Sequence, residues 1–145
     1  MTEKNDFKVN SQAVQAHLGI MQSVIPRMAA NSASCKAWGI ALVSAILVVV
    51  ADKGNPQYAL IAIIPTILFL CLDAYYLALE KMFIKSYNVF IGKLHEGKVL
   101  ASDLYAVSPS GNLFGTFFPS MLSISIWPFY LTLLAMILIT QRIVM

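Results

Sequence analysis

Residues 56–97 read PQYALIAIIPTILFLCLDAYYLALEKMFIKSYNVFIGKLHEG. No charge occurs from Pro56 to Leu72, and an uninterrupted apolar stretch of that length has the signature of a helix crossing a bilayer. From Asp73 onward the chain turns amphipathic. Leu77, Ile84, Tyr87, Ile91 and Leu94 form one stripe, and Lys81, Lys85 and Asn88 form another. The stretch therefore predicts a span over about 56–77 that continues, as one long helix, into a cytoplasmic extension over about 78–97.

The flanking sequence has the same character. The 145 residues are 59% hydrophobic and only 12% charged, against about 25% charged in soluble domains. This excludes a disordered chain and argues against a water-soluble globule. Leu104 to Gln141 carries no charge at all and predicts a span over about 119–141, bent at Trp127-Pro128 and anchored by Arg142. Upstream, Asp52-Lys53-Gly54-Asn55-Pro56 is a tight-turn signal. The apolar run before it, Ala37–Ala51, is only about 22 Å long as a helix. It fills a hydrocarbon core of about 30 Å if Lys36 snorkels and the helix starts earlier, giving a span over about 35–51. The expectation is an all-α membrane protein, a single membrane domain over residues 1–145 with three transmembrane helices.

Residues 1–10 are polar and predict a frayed terminus with no cleavable leader, so that the first span acts as its own insertion signal. Over about 11–34, Val14, Leu18, Met21, Ile25 and Met28 recur at four- and three-residue steps. They predict an N-terminal amphipathic helix lying on the membrane surface or against the bundle, with a short coiled coil as the alternative and a kink at Pro26. Between the second and third spans, Pro109–Asn112 reads as a turn, and Leu113, Phe114, Phe117 and Phe118 as an interfacial stretch. Lysine and arginine placement orients the chain. With the N-terminus cytoplasmic, Lys4, Lys8, Arg27, Lys36, Lys81, Lys85, Lys93 and Lys98 all fall inside, leaving Lys53 and Arg142 outside. The C-terminus is then extracytoplasmic, in an inner, multi-pass membrane protein.

Chemistry is sparse. No Ser-His-Asp set, Cys-His pair, glycine-rich phosphate loop or zinc spacing occurs, so no catalytic residue, metal or cofactor is expected. Cys35 and Cys71 read as structural and buried. The basic face of Lys81 and Lys85 either anchors the helix to anionic lipid or binds phosphates of a ligand, with Tyr76 and Tyr87 as nearby aromatic planes. Asp73, at the inner end of the second span, needs a partner, and Arg27 and Lys36 are the candidates. Asp73 and Glu80 share a helix face, so a carboxylate ring in an oligomer is the alternative to a structural ion pair. Ser120, Ser123 and Thr132 either bond helix carbonyls and neighbouring helices or line a pore. Three spans enclose a water path poorly, which favours a homo-oligomer, a tetramer being one such assembly.

Ile20–Trp38 (IMQSVIPRMAANSASCKAW), together with Asp73–Phe83 (DAYYLALEKMF) and Ser86–Asn88 (SYN), resembles small bacterial transmembrane effectors of antiphage defence. Among these it is most similar to the ion-channel effectors of Hailong-type systems. The resemblance covers the first two thirds of the chain. It implies a homo-oligomeric ion channel that opens on infection. It also implies a nucleotidyltransferase partner whose short single-stranded oligodeoxyadenylate holds the channel shut. Under it, Arg27, Asn31, Lys36, Lys81 and Lys85 would meet phosphates, Tyr76 or Tyr87 would stack on bases, and Asp73, Glu80, Ser120, Ser123 and Thr132 are pore or gate candidates. The competing reading is a non-channel membrane anchor or adaptor that recruits a soluble cytoplasmic partner through Asp73–Gly97.

Overall fold

The computed structural model describes residues 8–145, and among them the only regular elements are helices. The expected frayed terminus falls largely on residues 1–7, outside the described residues, as does Lys4.

Helix α1 runs from Gln12 to Lys53. Ser11 opens it by accepting the Val14 N–H on its hydroxyl. Gly54 closes it in the left-handed region at φ 63°, with its N–H on the Val50 carbonyl. The expected surface helix over 11–34 and the span over 35–51 are thus one element, uninterrupted at Pro26. A single seam explains the continuity. Val14, His17, Met21, Met28, Ser32, Cys35, Gly39, Val43, Leu47 and Val50 are all buried, at the three- and four-residue steps of one helix face. Packing along that face on both sides of Pro26 outweighs the one backbone donor that proline removes. Within the seam the structure corrects two positions: His17 is buried where Leu18 was expected, and Leu18 and Ile25 are only half-buried.

After the turn, Pro56–Ala62 forms a 3₁₀ helix capped by Asn55, and α2 follows from Ile63 to His95. Helices α1 and α2 form an antiparallel hairpin, in which Gly39 meets Phe69, Ser32 meets Asp73, Gln22 meets Tyr87 and His17 meets Phe90. A loop then leads to α3, Leu113–Met121, and to α4, Trp127–Val144. The expected single helix over 119–141 is broken at Leu122–Ile126. Ser123 N–H bonds the Ser120 carbonyl, and Ile126 and Trp127 N–H groups bond that of Ser123. These are turn bonds, and Pro128 in the first turn of α4 starts a helix instead of bending one.

Two cores result. Val43, Leu47, Val50, Ala59, Ala62, Ala74, Ile126, Tyr130, Leu133 and Ile137 join α1, α2 and α4 at one end. Val14, Met21, Phe90, Leu94, Val99 and Leu104 join the other ends of the hairpin to the loop after α2. The elements Gln12–Lys53, Pro56–His95 and Trp127–Val144 are each long and apolar enough to cross a membrane. The first core lies among their exposed apolar side chains, which include Trp38, Val48, Ile64, Leu68, Leu131 and Leu138.

Candidate functional site

Between the two cores lies a buried charge. Asp73 has no solvent exposure, and its position on α2 faces the small, polar stretch of the α1 seam. Ser32 donates its hydroxyl to Asp73 Oδ1. Lys36 Nζ stands 2.6 Å from Asp73 Oδ2 and also bonds Ser32 Oγ at 3.3 Å. Ser32 thus takes one carboxylate oxygen and Lys36 is the counter-ion at the other. Ser32 and Lys36 are one turn apart, which lets both reach the same carboxylate. Tyr130 arrives from α4 and donates its hydroxyl to the Phe69 carbonyl at 3.0 Å, one turn from Asp73. Three helices therefore converge here. A charge so far from water persists only when paired, and the structure selects Lys36 as the partner over Arg27, which is exposed.

This pairing alters two expectations. Lys36 is engaged with Asp73 and does not present a free cation to phosphates. Asp73 is enclosed within the chain and paired there, while Glu80, one turn pair along, is half-buried and makes no ion pair among the described residues.

A second polar region lies where α2 meets α3. Lys81 Nζ bonds the buried Ser120 Oγ at 3.2 Å. Lys81 and Lys85 line a cleft of about 290 Å³ with Ser110, Gly111, Asn112 and Thr116. Ser86 ties the loop down, its hydroxyl lying 2.7 Å from the Ser108 carbonyl and 2.8 Å from Ser110 Oγ. Asn112 caps α3 by accepting the Phe114 N–H.

Other predicted residues scatter. Tyr87 accepts from Gln22 Nε2 at 3.4 Å, Tyr76 and Asn31 are half-buried, and Ser123 lies in the turn before α4. Thr132 returns its hydroxyl to the Pro128 carbonyl of its own helix at 2.8 Å. Cys35 is buried as expected, but Cys71 is exposed among the apolar side chains of α2. No group of histidine, cysteine, aspartate and glutamate able to hold a metal occurs among the described residues.

The residues missed in sequence are His17, Ser32, Tyr105 and Tyr130. His17 packs its ring on Phe90 at 4.3 Å between centroids, and its Nδ1 accepts the Tyr105 N–H at 3.0 Å. Tyr105 is the one non-glycine residue with positive φ among those described, at 62°. His17, Lys93 and Asp103 border a cavity of about 210 Å³. There Lys93 pairs with Asp103 at 2.8 Å, and the Leu100 N–H also bonds Asp103. The Lys93 hydrogen bond, then that of Leu100, hold the Asp103 carboxyl below its ordinary value. The seam step from Val14 to Met21 was the signal for His17. Nothing in the sequence signalled Tyr105.

Fold and site together define an all-helical protein with three helices able to cross a membrane and a buried ion pair where they meet. No protein-family model, curated protein or solved structure matches the chain.

Proposed function

We propose that the protein is the subunit of a homo-oligomeric ion channel in the bacterial inner membrane, acting as an antiphage effector. The observation that carries this reading is the contact of Ser32 and Lys36 with Asp73. It joins Ile20–Trp38 to Asp73–Phe83, the two stretches on which the resemblance to defence-channel effectors rests, at the border of the apolar helices. An ion pair held within such helices is a natural two-state element: closed when paired, and costly to separate unless water or a neighbouring subunit replaces each partner. Three spans of one chain enclose a water path poorly, and a groove of about 380 Å³ between Leu47, Val48 and Ala51 of α1 and Met136, Thr140 and Ile143 of α4 is left open to a neighbour. Lysine and arginine placement favours a cytoplasmic N-terminus and an extracytoplasmic C-terminus. The nucleotidyltransferase partner and restraint by a short single-stranded oligodeoxynucleotide belong to the same proposal. Lys36, being engaged, leaves the set of cations available to such a strand.

The test is conductance of purified protein in a planar bilayer, with and without a short oligodeoxyadenylate on the Lys81 side. The expected result is discrete currents that the oligonucleotide suppresses, and an altered open fraction in Asp73→Asn. Silence from protein shown to be inserted, together with capture of a soluble partner by the part of the hairpin beyond Asp73, would favour the adaptor.

A further inference from the structure

We propose that Lys81, Lys85 and the loop opening α3 form a binding site for the phosphate of an anionic membrane lipid. The two lysines stand one turn apart on α2 and face the cleft whose other wall is Ser110, Gly111, Asn112 and Thr116. No carboxylate lines that cleft, and neither lysine makes an ion pair among the described residues. Both ammonium groups reach the cleft. Lys81 Nζ is held by Ser120 Oγ, and Lys85 Nζ stands beside Gly111, where a Cβ would come within 4.0 Å of it. The wall opposite is tied to α2 through Ser86 and Ser110. Two cations lining a cleft without negative charge, one of them held by Ser120, attract a compact anion.

What lies beside the cleft decides in favour of a lipid. Phe114 and Phe118, one turn apart on α3, are 74% and 63% exposed, and Leu122 and Ile124 follow at 79% and 84%. Apolar surface thus runs from the start of α4 along α3 to the cleft. Lys81 lies two turns, about 12 Å, beyond Asp73 along α2. With the aromatic stripe immersed in the acyl boundary, both lysines sit at headgroup depth. A nucleic-acid strand would engage the two lysines but make no use of the apolar stripe beside them. The inference goes beyond the channel reading: it assigns Lys81 and Lys85 to lipid and leaves exposed Arg27 to a strand.

The full chain in neutral detergent is titrated with short-chain phosphatidylglycerol or phosphatidylcholine, and bound lipid is counted by native mass spectrometry. Phosphatidylglycerol is expected to saturate and phosphatidylcholine to bind weakly. Lys81→Ala/Lys85→Ala should weaken phosphatidylglycerol roughly tenfold or more, since each cation near a surface contributes about 1 kcal/mol. Lys81→Arg/Lys85→Arg should retain it, and Lys53→Ala, at the other end of the spans, should change nothing. Equal binding of the two lipids overturns the proposal, as does undiminished phosphatidylglycerol binding in the double alanine variant. Displacement of the lipid by inorganic phosphate or by a short oligodeoxyadenylate would make the cleft a site for soluble phosphate or for a strand, which also overturns it. If the double variant fails to fold, Lys85→Gln is read instead, at an exposed position, by the same criteria. Conductance enters none of these outcomes, so the channel proposal stands or falls separately.

Discussion

The two ends of the α1–α2 hairpin are built differently. At the apolar end, Gly39 lies against Phe69, where an added Cβ would make an ordinary contact at 3.5 Å, and Ala59, Ala62 and Ala74 pack among Leu47, Ile126, Tyr130 and Leu133. At the other end Val14, Met21, Phe90, Leu94, Val99 and Leu104 make a buried core without alanine, stitched by His17–Tyr105 and Lys93–Asp103. Lipid is as apolar as a leucine side chain, so helices inside it are held by close packing and a few polar contacts. In water the same burial gains the transfer free energy as well. Asp73 and its Lys36 partner stand at the border between the two cores.

The largest effect should come from breaking that border. Lys36→Met leaves the Asp73 carboxylate buried and unpaired and should destabilise the fold by about 3–5 kcal/mol. Adding Asp73→Leu should recover most of the loss, as read by thermal unfolding in detergent. A double variant as unstable as the single one would show that the ion pair is not what Lys36 contributes.

Next come paired truncations, one in each core. Phe90→Ala removes transfer and packing contributions together and should cost about 3 kcal/mol. Leu133→Ala, equally buried, should cost less in a bilayer, because only packing is lost. Equal losses in both would erase the distinction between the two ends.

The smaller effects concern the loop after α2. His17→Leu keeps the bulk against Phe90 but orphans the Tyr105 N–H, for an expected loss of about 1–2 kcal/mol. Amide exchange should rise over residues 99–110 and stay unchanged in α4. Acidification should act on the same loop. Asp103 has its carboxyl held below the ordinary value in the folded state, so its contribution is fully present above the unfolded carboxylate value of about 3.9 and is lost as pH falls through the lower folded value. After correction for intrinsic exchange, this loop should therefore exchange faster already at neutral pH in Asp103→Asn and lack the acid-induced rise shown by the parent chain. Tyr105→Gly should be the mildest change, neutral or stabilising by under about 1 kcal/mol, because glycine adopts the positive φ freely while the exposed ring loses little.

Much of the architecture was legible because it depends on composition and period. Uncharged stretches before Asp73 and after Leu104 mark helices able to cross a membrane, and the 14-21-28 spacing marks the face that α1 turns toward α2. The candidate site was legible only as a requirement: Asp73 in apolar surroundings demands a cation, and both Arg27 and Lys36 precede the first apolar run on the side to which the end of the second returns. Their choice depends on the register of two antiparallel helices, a relation between residues about forty positions apart that no local pattern encodes. Continuity through Pro26 and the break at Leu122–Ile126 likewise reverse local propensity, since packing on both sides can outweigh one missing hydrogen bond and a serine-rich turn can end a helix where no proline requires it. The sequence by itself determined which stretches avoid water and which charge needs a partner. Only the tertiary structure decided that the partner is Lys36, that His17 holds Tyr105 and that Lys81 and Lys85 share a cleft, because each joins elements whose relative placement is set by packing.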